Sequence, residues 1–110
     1  MSTITTHVLD TGLGRPARDV GVRLSRLEDG EPVVIATGST DDDGRIGKLT
    51  PTELEPGTYQ LRFDVAAYAT ATDQDIFFPE VIVTFTITDE RHYHVPLLLS
   101  PFAFSTYRGS

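Results

Sequence analysis

The sequence predicts an all-β protein, a sandwich or a barrel of seven or eight short strands with one short helix. Apolar and polar residues alternate over most of the chain, which is the period of a half-buried strand. Turn sequences rich in Asp, Gly and Pro separate these segments, at about every 8–12 residues, a spacing typical of sandwiches and barrels. A single alanine-rich segment has the composition of a helix.

Four segments carry the strand pattern most clearly. In residues 58–65, the apolar side chains of Tyr59, Leu61, Phe63 and Val65 alternate with polar ones. The other segments are residues 20–27, 31–39 and 80–88, of which 31–39 has the weakest alternation. Sequences typical of tight turns occupy residues 27–30, 41–44 and 55–57. Each strand is therefore expected to bury one face.

Two further elements complete the expected fold. A short helix is predicted over residues 64–75, where four alanines fall within six positions. The chain stays apolar and β-prone up to Tyr107, although chain ends usually fray. This composition predicts a final strand that packs in a sheet or against another subunit.

Composition excludes several classes of function. The net charge is −7 and Lys48 is the only lysine, which argues against nucleic acid as a partner. Without cysteine, the chain has no disulfide, no thiol nucleophile and no Cys-based zinc site. It shows no secretory signal and no apolar segment of about 20 residues, so we expect no membrane partner and a cytoplasmic location. Its length of 110 residues predicts one domain over 1–110.

The three histidines are the first candidates for chemistry. His92 and His94 stand two residues apart before an apolar segment, and His7 lies near the other end of the chain. If residues 91–99 form a strand, His92 and His94 share one of its faces. Three interpretations remain open: hydrogen-bonded histidines without a chemical role, acid–base groups of an active site, or zinc ligands completed by His7.

Other polar residues add little by themselves. Arg45 follows the turn at residues 41–44, where a solvated arginine is the ordinary finding. The aspartates of that turn lack the spaced ligands and closing glutamate of an EF-hand loop. Ser105 and Ser110 have no nucleophile elbow around them. Composition and spacing therefore predict an acidic β-sandwich with a histidine-bearing site, and they do not name a reaction.

Two long segments resemble a known family. HVLDTGLGRPARDVGV (residues 7–22) and YHVPLLLSPFAFSTYRGS (residues 93–110) are similar to the N- and C-terminal signatures of the transthyretin-like proteins. One departure is Ala103, where the family more often has glycine or serine, and it is expected to affect only a turn. The resemblance implies a two-sheet β-sandwich of eight strands with one short helix, assembled as a homotetramer with active sites in the channel between dimers.

The family has a hormone-carrying branch and an enzyme branch. The enzyme branch has His, Arg and His where this chain has His7, Arg45 and His94, whereas the carrier has Lys, Glu and Thr. The chain also ends in Tyr-Arg-Gly-Ser, as the enzymes do. The resemblance therefore implies hydrolysis of 5-hydroxyisourate to 2-oxo-4-hydroxy-4-carboxy-5-ureidoimidazoline in urate degradation.

The resemblance also implies roles for individual residues. The expected catalytic residues are His7, Arg45 and His94, with histidine activating water and arginine stabilising the developing charge. The expected substrate-binding residues are His7, Arg45, Tyr107, Arg108 and Ser110. His92 is expected to be auxiliary, and neither a metal nor a cofactor is implied. A ligand carrier that uses the same channel, and an interaction domain without chemistry, are the alternatives.

Overall fold

The computed structural model describes residues 2–50 and 53–109. The strand segments in these residues are β1 (Ile4–Thr5), β2 (Val8–Asp10), β3 (Arg15–Pro16), β4 (Gly21–Glu28), β5 (Glu31–Ser39), β6 (Gly57–Asp64), β7 (Glu80–Ile87), β8 (Tyr93–His94), β9 (Leu97–Leu99) and β10 (Phe104–Thr106), and the helix is α1 (Val65–Ala71). They form one sheet of order β5-β4-β6-β7, a second of order β10-β9-β2-β3, and a β1-β8 pair. We call β4–β7 the hairpin sheet and the other strands together the terminal sheet.

The hairpin sheet confirms the strongest strand predictions. Its strands are antiparallel, and β4 lies between β5 and β6 with one irregularity in register. The predicted inward side chains Tyr59, Leu61 and Phe63 on β6 are each at most 1% exposed. Val65, predicted at the end of this strand, is also buried but begins α1. Strand β5, which had the weakest alternation, is an edge strand with mostly exposed side chains. Its pattern is weak because little of it is buried.

The terminal sheet joins the two ends of the chain. The β1–β8 and β2–β9 pairs are both parallel and keep the same register. Between them, the N–H of Val95 donates to the carbonyl of Thr5 at 2.9 Å. Pro96 has no N–H to donate, but a parallel ladder takes its donors from alternate residues, so the proline fits. If β1 and β2 are counted as one interrupted strand, and β8 and β9 as another, the described residues contain eight strands, the number that the resemblance implies.

One apolar core lies between the two sheets. The hairpin sheet contributes side chains such as Leu24, Leu61 and Phe63, and the terminal sheet contributes Val8 and Leu97. All five are fully buried, and burial of a side chain of this size contributes about 1.5–3 kcal/mol. The terminal sheet therefore has one face in the core and one face free for other contacts.

The helix is shorter than predicted. It spans Val65–Ala71, with Asp64 as its N-cap accepting a hydrogen bond from the N–H of Ala67. The predicted extension to residue 75 is wrong, because Asp73 adopts a positive φ of 54° and the chain turns away from the helix axis. No helix among the described residues is long and apolar enough to cross a membrane.

The last strand forms as the composition predicted. Strand β10 pairs antiparallel with β9, so the apolar C-terminal segment belongs to the terminal sheet. The N–H of Ser100 donates to the carbonyl of Ala103 at 2.9 Å. Ala103 thus lies in the turn between β9 and β10, as expected.

A buried polar network ties the helix to the terminal sheet. The hydroxyl of Tyr68 on α1 and the amide of Gln74 both donate to Oδ2 of Asp10 on β2, and the N–H of Leu13 donates to Oδ1. Burial alone would raise the pKa of Asp10, but these hydrogen bonds outweigh it and hold the pKa below its ordinary value. The network therefore anchors the end of β2, the strand that directly follows His7.

Candidate active site

His7 and Arg45 are neighbours across an isolated antiparallel bridge. In this bridge the N–H of Val8 donates to the carbonyl of Gly44 at 2.8 Å. Gly44 has a φ of +77°, and a Cβ at this position would lie 2.3 Å from the carbonyl oxygen of Val8. Only glycine allows so close an approach. The glycine of the predicted turn therefore sets Arg45 beside His7.

The turn that precedes Arg45 also orients His7. Oδ1 of Asp41 accepts hydrogen bonds from the N–H groups of Asp43 and Arg45 at 2.9 and 3.0 Å, so the three aspartates form a turn, as predicted. Nε2 of His7 lies 2.8 Å from the carbonyl oxygen of Asp43. Because a carbonyl oxygen only accepts, Nε2 of His7 is the donor, and the neutral ring has its lone pair on Nδ1.

His92 and His94 lie on the face of the terminal sheet that points away from the core, while Tyr93 between them is buried. The Thr5 hydroxyl on β1 is 2.8 Å from Nδ1 of His94 and also 2.8 Å from Nε2 of His92. The Thr3 hydroxyl is 2.6 Å from Nδ1 of His92. Threonine hydroxyls therefore hold both imidazoles.

Thr3 and Thr5 were not among the site residues predicted from the sequence. The signal was present, because residues 3, 5 and 7 alternate with Ile4 and Thr6 and so share a face with His7. The alternation does not reveal which strand lies alongside. Parallel pairing with β8 brings the two threonines to the histidines.

Electrostatics link four of these side chains. The pKa of His94 is lowered from its ordinary value of 6.5. Partial burial of the ring is the largest cause, because it disfavours the imidazolium, and the positive charges of Arg45, His7 and His92 lower the pKa further. His94 therefore stays a neutral base at lower pH than free imidazole does.

The C-terminal residues close over His94. The N–H of Gly109 donates to the carbonyl of His94 at 2.8 Å, and a Cβ at Gly109 would lie 2.6 Å from Cδ2 of that ring. The Arg108 guanidinium stacks over the Tyr93 ring at 4.5 Å. Arg108 and Gly109 also line, with Arg91 and His92, a cavity of about 390 Å³. Arg108 thus lies on the His92 side of the site.

Tyr107 lies apart from this group. It lines a separate cavity of about 240 Å³, together with inward-facing side chains such as Val83, Tyr93 and Val95. Of these, Tyr93 lies on β8, with its side chain on the face opposite to that of His94. The structure of one chain therefore brings His7, Arg45, His94 and His92 together on the outward face. Arg108 lines both cavities, over Tyr93 and beside His92, and Tyr107 lines the inner one. The remaining predicted residue, Ser110, is outside the described residues.

Among residues 2–50 and 53–109, no three His, Cys, Asp or Glu side chains are grouped to hold a metal ion. What the site offers is two neutral imidazole nitrogens, a guanidinium and several hydroxyls on an open face of a sheet. Such a set can accept a proton from water and stabilise an oxyanion.

Comparison with known proteins identifies the family. Residues 4–109 match the model described as HIUase/Transthyretin family. The chain belongs to this family.

Relatives within the HIUase/transthyretin family are close in length and sequence. A 5-hydroxyisourate hydrolase of Mus musculus is 50% identical over 99% of this chain and 96% of that protein. One of Caulobacter vibrioides is 39% identical, with all of both chains covered. The structure of Klebsiella pneumoniae 5-hydroxyisourate hydrolase covers 100% of both chains at 37% identity, with a TM-score of 0.89.

The carrier branch has the same fold. Sea bream transthyretin in complex with thyroxine is 35% identical, covers 97% of this chain and 94% of its own, and has a TM-score of 0.90. The predicted sandwich is thereby confirmed, but the fold does not separate the branches. The curated relatives at 39–50% identity are hydrolases, and this member of the HIUase/transthyretin family is an enzyme of that class.

Proposed function

We propose that this protein hydrolyses 5-hydroxyisourate to 2-oxo-4-hydroxy-4-carboxy-5-ureidoimidazoline, a step of urate degradation. The convergence of His7, Arg45 and His94 on the open face of the terminal sheet carries the proposal. The hydrolase names of the curated relatives support the same substrate.

The reaction adds water to an amide-like ring carbonyl and breaks a ring C–N bond. It requires a base for water, a positive group for the developing oxyanion and a proton for the leaving nitrogen. His94 is suited to be the base, because its pKa is lowered and only its Nδ1 is bonded to Thr5. A neutral imidazole with a pKa near working pH is an efficient base.

Arg45 supplies the positive group. Its guanidinium is charged at every working pH and can hold two oxygen atoms at once, so it both orients a planar substrate and stabilises negative charge on the attacked carbonyl. His7 stands beside it with Nδ1 available, since Nε2 is bonded to Asp43. We assign His7 to substrate binding and to proton transfer with His94. Arg108 binds substrate from the side of His92.

We further propose that the single-domain chains assemble as a cytoplasmic homotetramer. Phe77 and Phe102 are 72% and 79% exposed, and exposed aromatic patches of this kind commonly mark protein–protein contacts. In the tetramer, Tyr107 would contribute to the active site of another chain, because in its own chain it lies on the face of β8 opposite to His94. Light scattering tests this, and a molar mass of a single chain would contradict it.

The activity is tested by generating 5-hydroxyisourate in situ with a urate oxidase and following its ultraviolet absorbance. We expect decay much faster than the spontaneous rate with this protein, and near the spontaneous rate with Arg45→Ala. A carrier would bind ligand in the channel and leave the decay unchanged. Decay at the spontaneous rate with the unaltered protein would overturn the proposal.

A further inference from the structure

We propose that His92 is a positioning residue that acts through the Thr5 hydroxyl: it sets the tautomer of His94 and receives the proton that His94 takes from water. This inference rests on the proposed hydrolysis. It gives a defined task to Thr5, and to a histidine for which sequence comparison implied only an auxiliary role.

The Thr5 hydroxyl lies between the two imidazole rings of His92 and His94. The Thr5 hydroxyl lies 2.8 Å from a ring nitrogen on each side, Nε2 of His92 and Nδ1 of His94. A hydroxyl has one proton, so it can donate to only one of the two nitrogens. In the proposed pathway it donates to one ring and accepts from the other. The Thr3 hydroxyl extends the series at 2.6 Å from Nδ1 of His92. While both rings are neutral, the three hydrogen bonds therefore run in one common direction.

Only one direction makes His94 a base. If the bonds run from His94 towards Thr3, Nδ1 of each ring carries the proton and Nε2 of His94 keeps its lone pair. If they run the other way, Nε2 of His94 carries the proton and can only donate. In both cases Thr5 occupies Nδ1, so Nε2 is the nitrogen left to face water. The resting enzyme therefore has its hydrogen bonds directed away from His94.

The proton then moves in three linked transfers. Water gives a proton to Nε2 of His94 as its oxygen bonds to the substrate carbonyl carbon. The Nδ1 proton of His94 passes to the Thr5 oxygen, and the Thr5 proton passes to Nε2 of His92. His94 is now neutral with Nε2–H, His92 is an imidazolium, and the substrate carries the negative charge.

Ring opening reverses the transfers. The C–N bond breaks as Nε2–H of His94 gives its proton to the leaving nitrogen. His92 returns a proton through Thr5 to Nδ1 of His94, which restores the first direction. One water is consumed, and the three side chains regain their starting protons.

His92 is the better place to hold the transient positive charge. His94 is half-buried, and the charges of Arg45 and His7 act on its ring. His92 is exposed, so water solvates its imidazolium. The charged groups near the two rings include Arg45 and His7 on the side of His94, and Arg91 with its partner Asp89, and Arg108, on the side of His92.

The first test reads the tautomer without any substrate. Ring ¹⁵N shifts of the three histidines are recorded above their titration range, with His7→Gln and His92→Asn for assignment. We expect His94 in the Nδ1–H form, and a loss of that preference in Thr5→Val, which keeps the branched shape but not the hydroxyl. The matched control is Thr37→Val, an exposed threonine on β5. The same His94 tautomer in Thr5→Val as in the unaltered protein would overturn the inference.

The second test is a kinetic cycle. We expect Thr5→Val to lower kcat about 10–100-fold with little change in KM, as for loss of a proton-transfer partner, and Thr5→Ser to restore most of it. Asparagine at position 92 can hydrogen-bond but cannot carry the proton onward, so His92→Asn should also lower kcat. Because both residues belong to one pathway, the double variant should be no slower than Thr5→Val alone. Losses that multiply would contradict the pathway.

The two tests separate this inference from the proposed function. If the unaltered protein does not consume 5-hydroxyisourate, the proposed function fails, and the ¹⁵N shifts still decide the direction of the hydrogen bonds. If it is active but Thr5→Val turns over at the normal rate, the hydrolase proposal stands and the role of His92 and Thr5 is disproved.

Discussion

The two sheets of this protein are built in different ways. The hairpin sheet consists of strands of eight or nine residues, arranged antiparallel. The terminal sheet consists of segments of two or three residues, and its central pairing is parallel, between the two ends of the chain. Long antiparallel strands provide many cross-strand pairs in the core, whereas short parallel segments depend on their neighbours for support.

This difference separates stability from chemistry. The hairpin sheet fills the core with its inward side chains, and no predicted site residue lies on its strands. The outward face of the terminal sheet carries Thr5, His7 and His94, while its inward face shares the same core. A site held on a sheet whose other face is packed has little freedom to move. Substitutions in the two regions should therefore have separable effects.

The largest effect is expected from removing the outward side chains. His7→Ala, Arg45→Ala and His94→Ala should each lower kcat/KM by about 10²–10⁴-fold, the usual cost of losing an acid–base or charge-stabilising group. The unfolding midpoint should change little, since none of the three lies in the core. The absorbance assay and chemical denaturation measure the two quantities. Normal turnover by Arg45→Ala would show that the site is elsewhere.

A core substitution in the hairpin sheet should do the reverse. Phe63 is 0% exposed, and Phe63→Ala should lower the free energy of unfolding by about 3–5 kcal/mol. The fraction that remains folded should keep its kcat. Val33→Ala on the exposed strand β5 is the control, with an expected change within about 0.5 kcal/mol. A selective loss of kcat in folded Phe63→Ala would contradict the assignment of stability to the hairpin sheet and of chemistry to the terminal sheet.

Gly109 tests how the C-terminal residues position His94. A methyl group at Gly109 would lie within 2.6 Å of Cδ2 of His94, so Gly109→Ala should displace the ring and lower kcat about tenfold, since small misplacements of reacting groups are costly. Gly47→Ala is a matched control, because nothing lies within 4 Å of a Cβ there. Equal kcat in the two variants would mean that the tail does not hold the ring.

The smallest effect concerns pH. Burial and nearby positive charges lower the pKa of His94 below 6.5, so the base stays unprotonated, and kcat/KM stays high, to a pH below 6.5. Arg45→Gln removes one charge and should move the pKa of His94 upward, measured by NMR titration. The pKa of His94 is lower in the folded state than in the unfolded state, so protonation favours the unfolded chain. The free energy of unfolding should therefore fall as the pH drops below 6.5. A His94 pKa above 6.5 would contradict both.

Most of the hairpin sheet could be predicted from the sequence, because alternation in residues 58–65 reports burial of one face directly. The family resemblance also named His7, Arg45 and His94, which the structure brings together. The end of the helix could not be predicted in the same way. It depends on Asp73 adopting a positive φ, a conformation that the alanine-rich composition does not signal.

The sequence alone determined the strands of the hairpin sheet and the faces they bury, because a period of two in local backbone geometry fixes the direction of every side chain. Its resemblance to the HIUase/transthyretin family named His7, Arg45 and His94 as candidate site residues. Only the tertiary structure decided that Thr5 lies between His92 and His94, and that Gly109 packs on the His94 ring while Tyr107 lies on the opposite face. Thr5 and His94 are 89 positions apart in the sequence, and no local pattern encodes which distant strand becomes a neighbour.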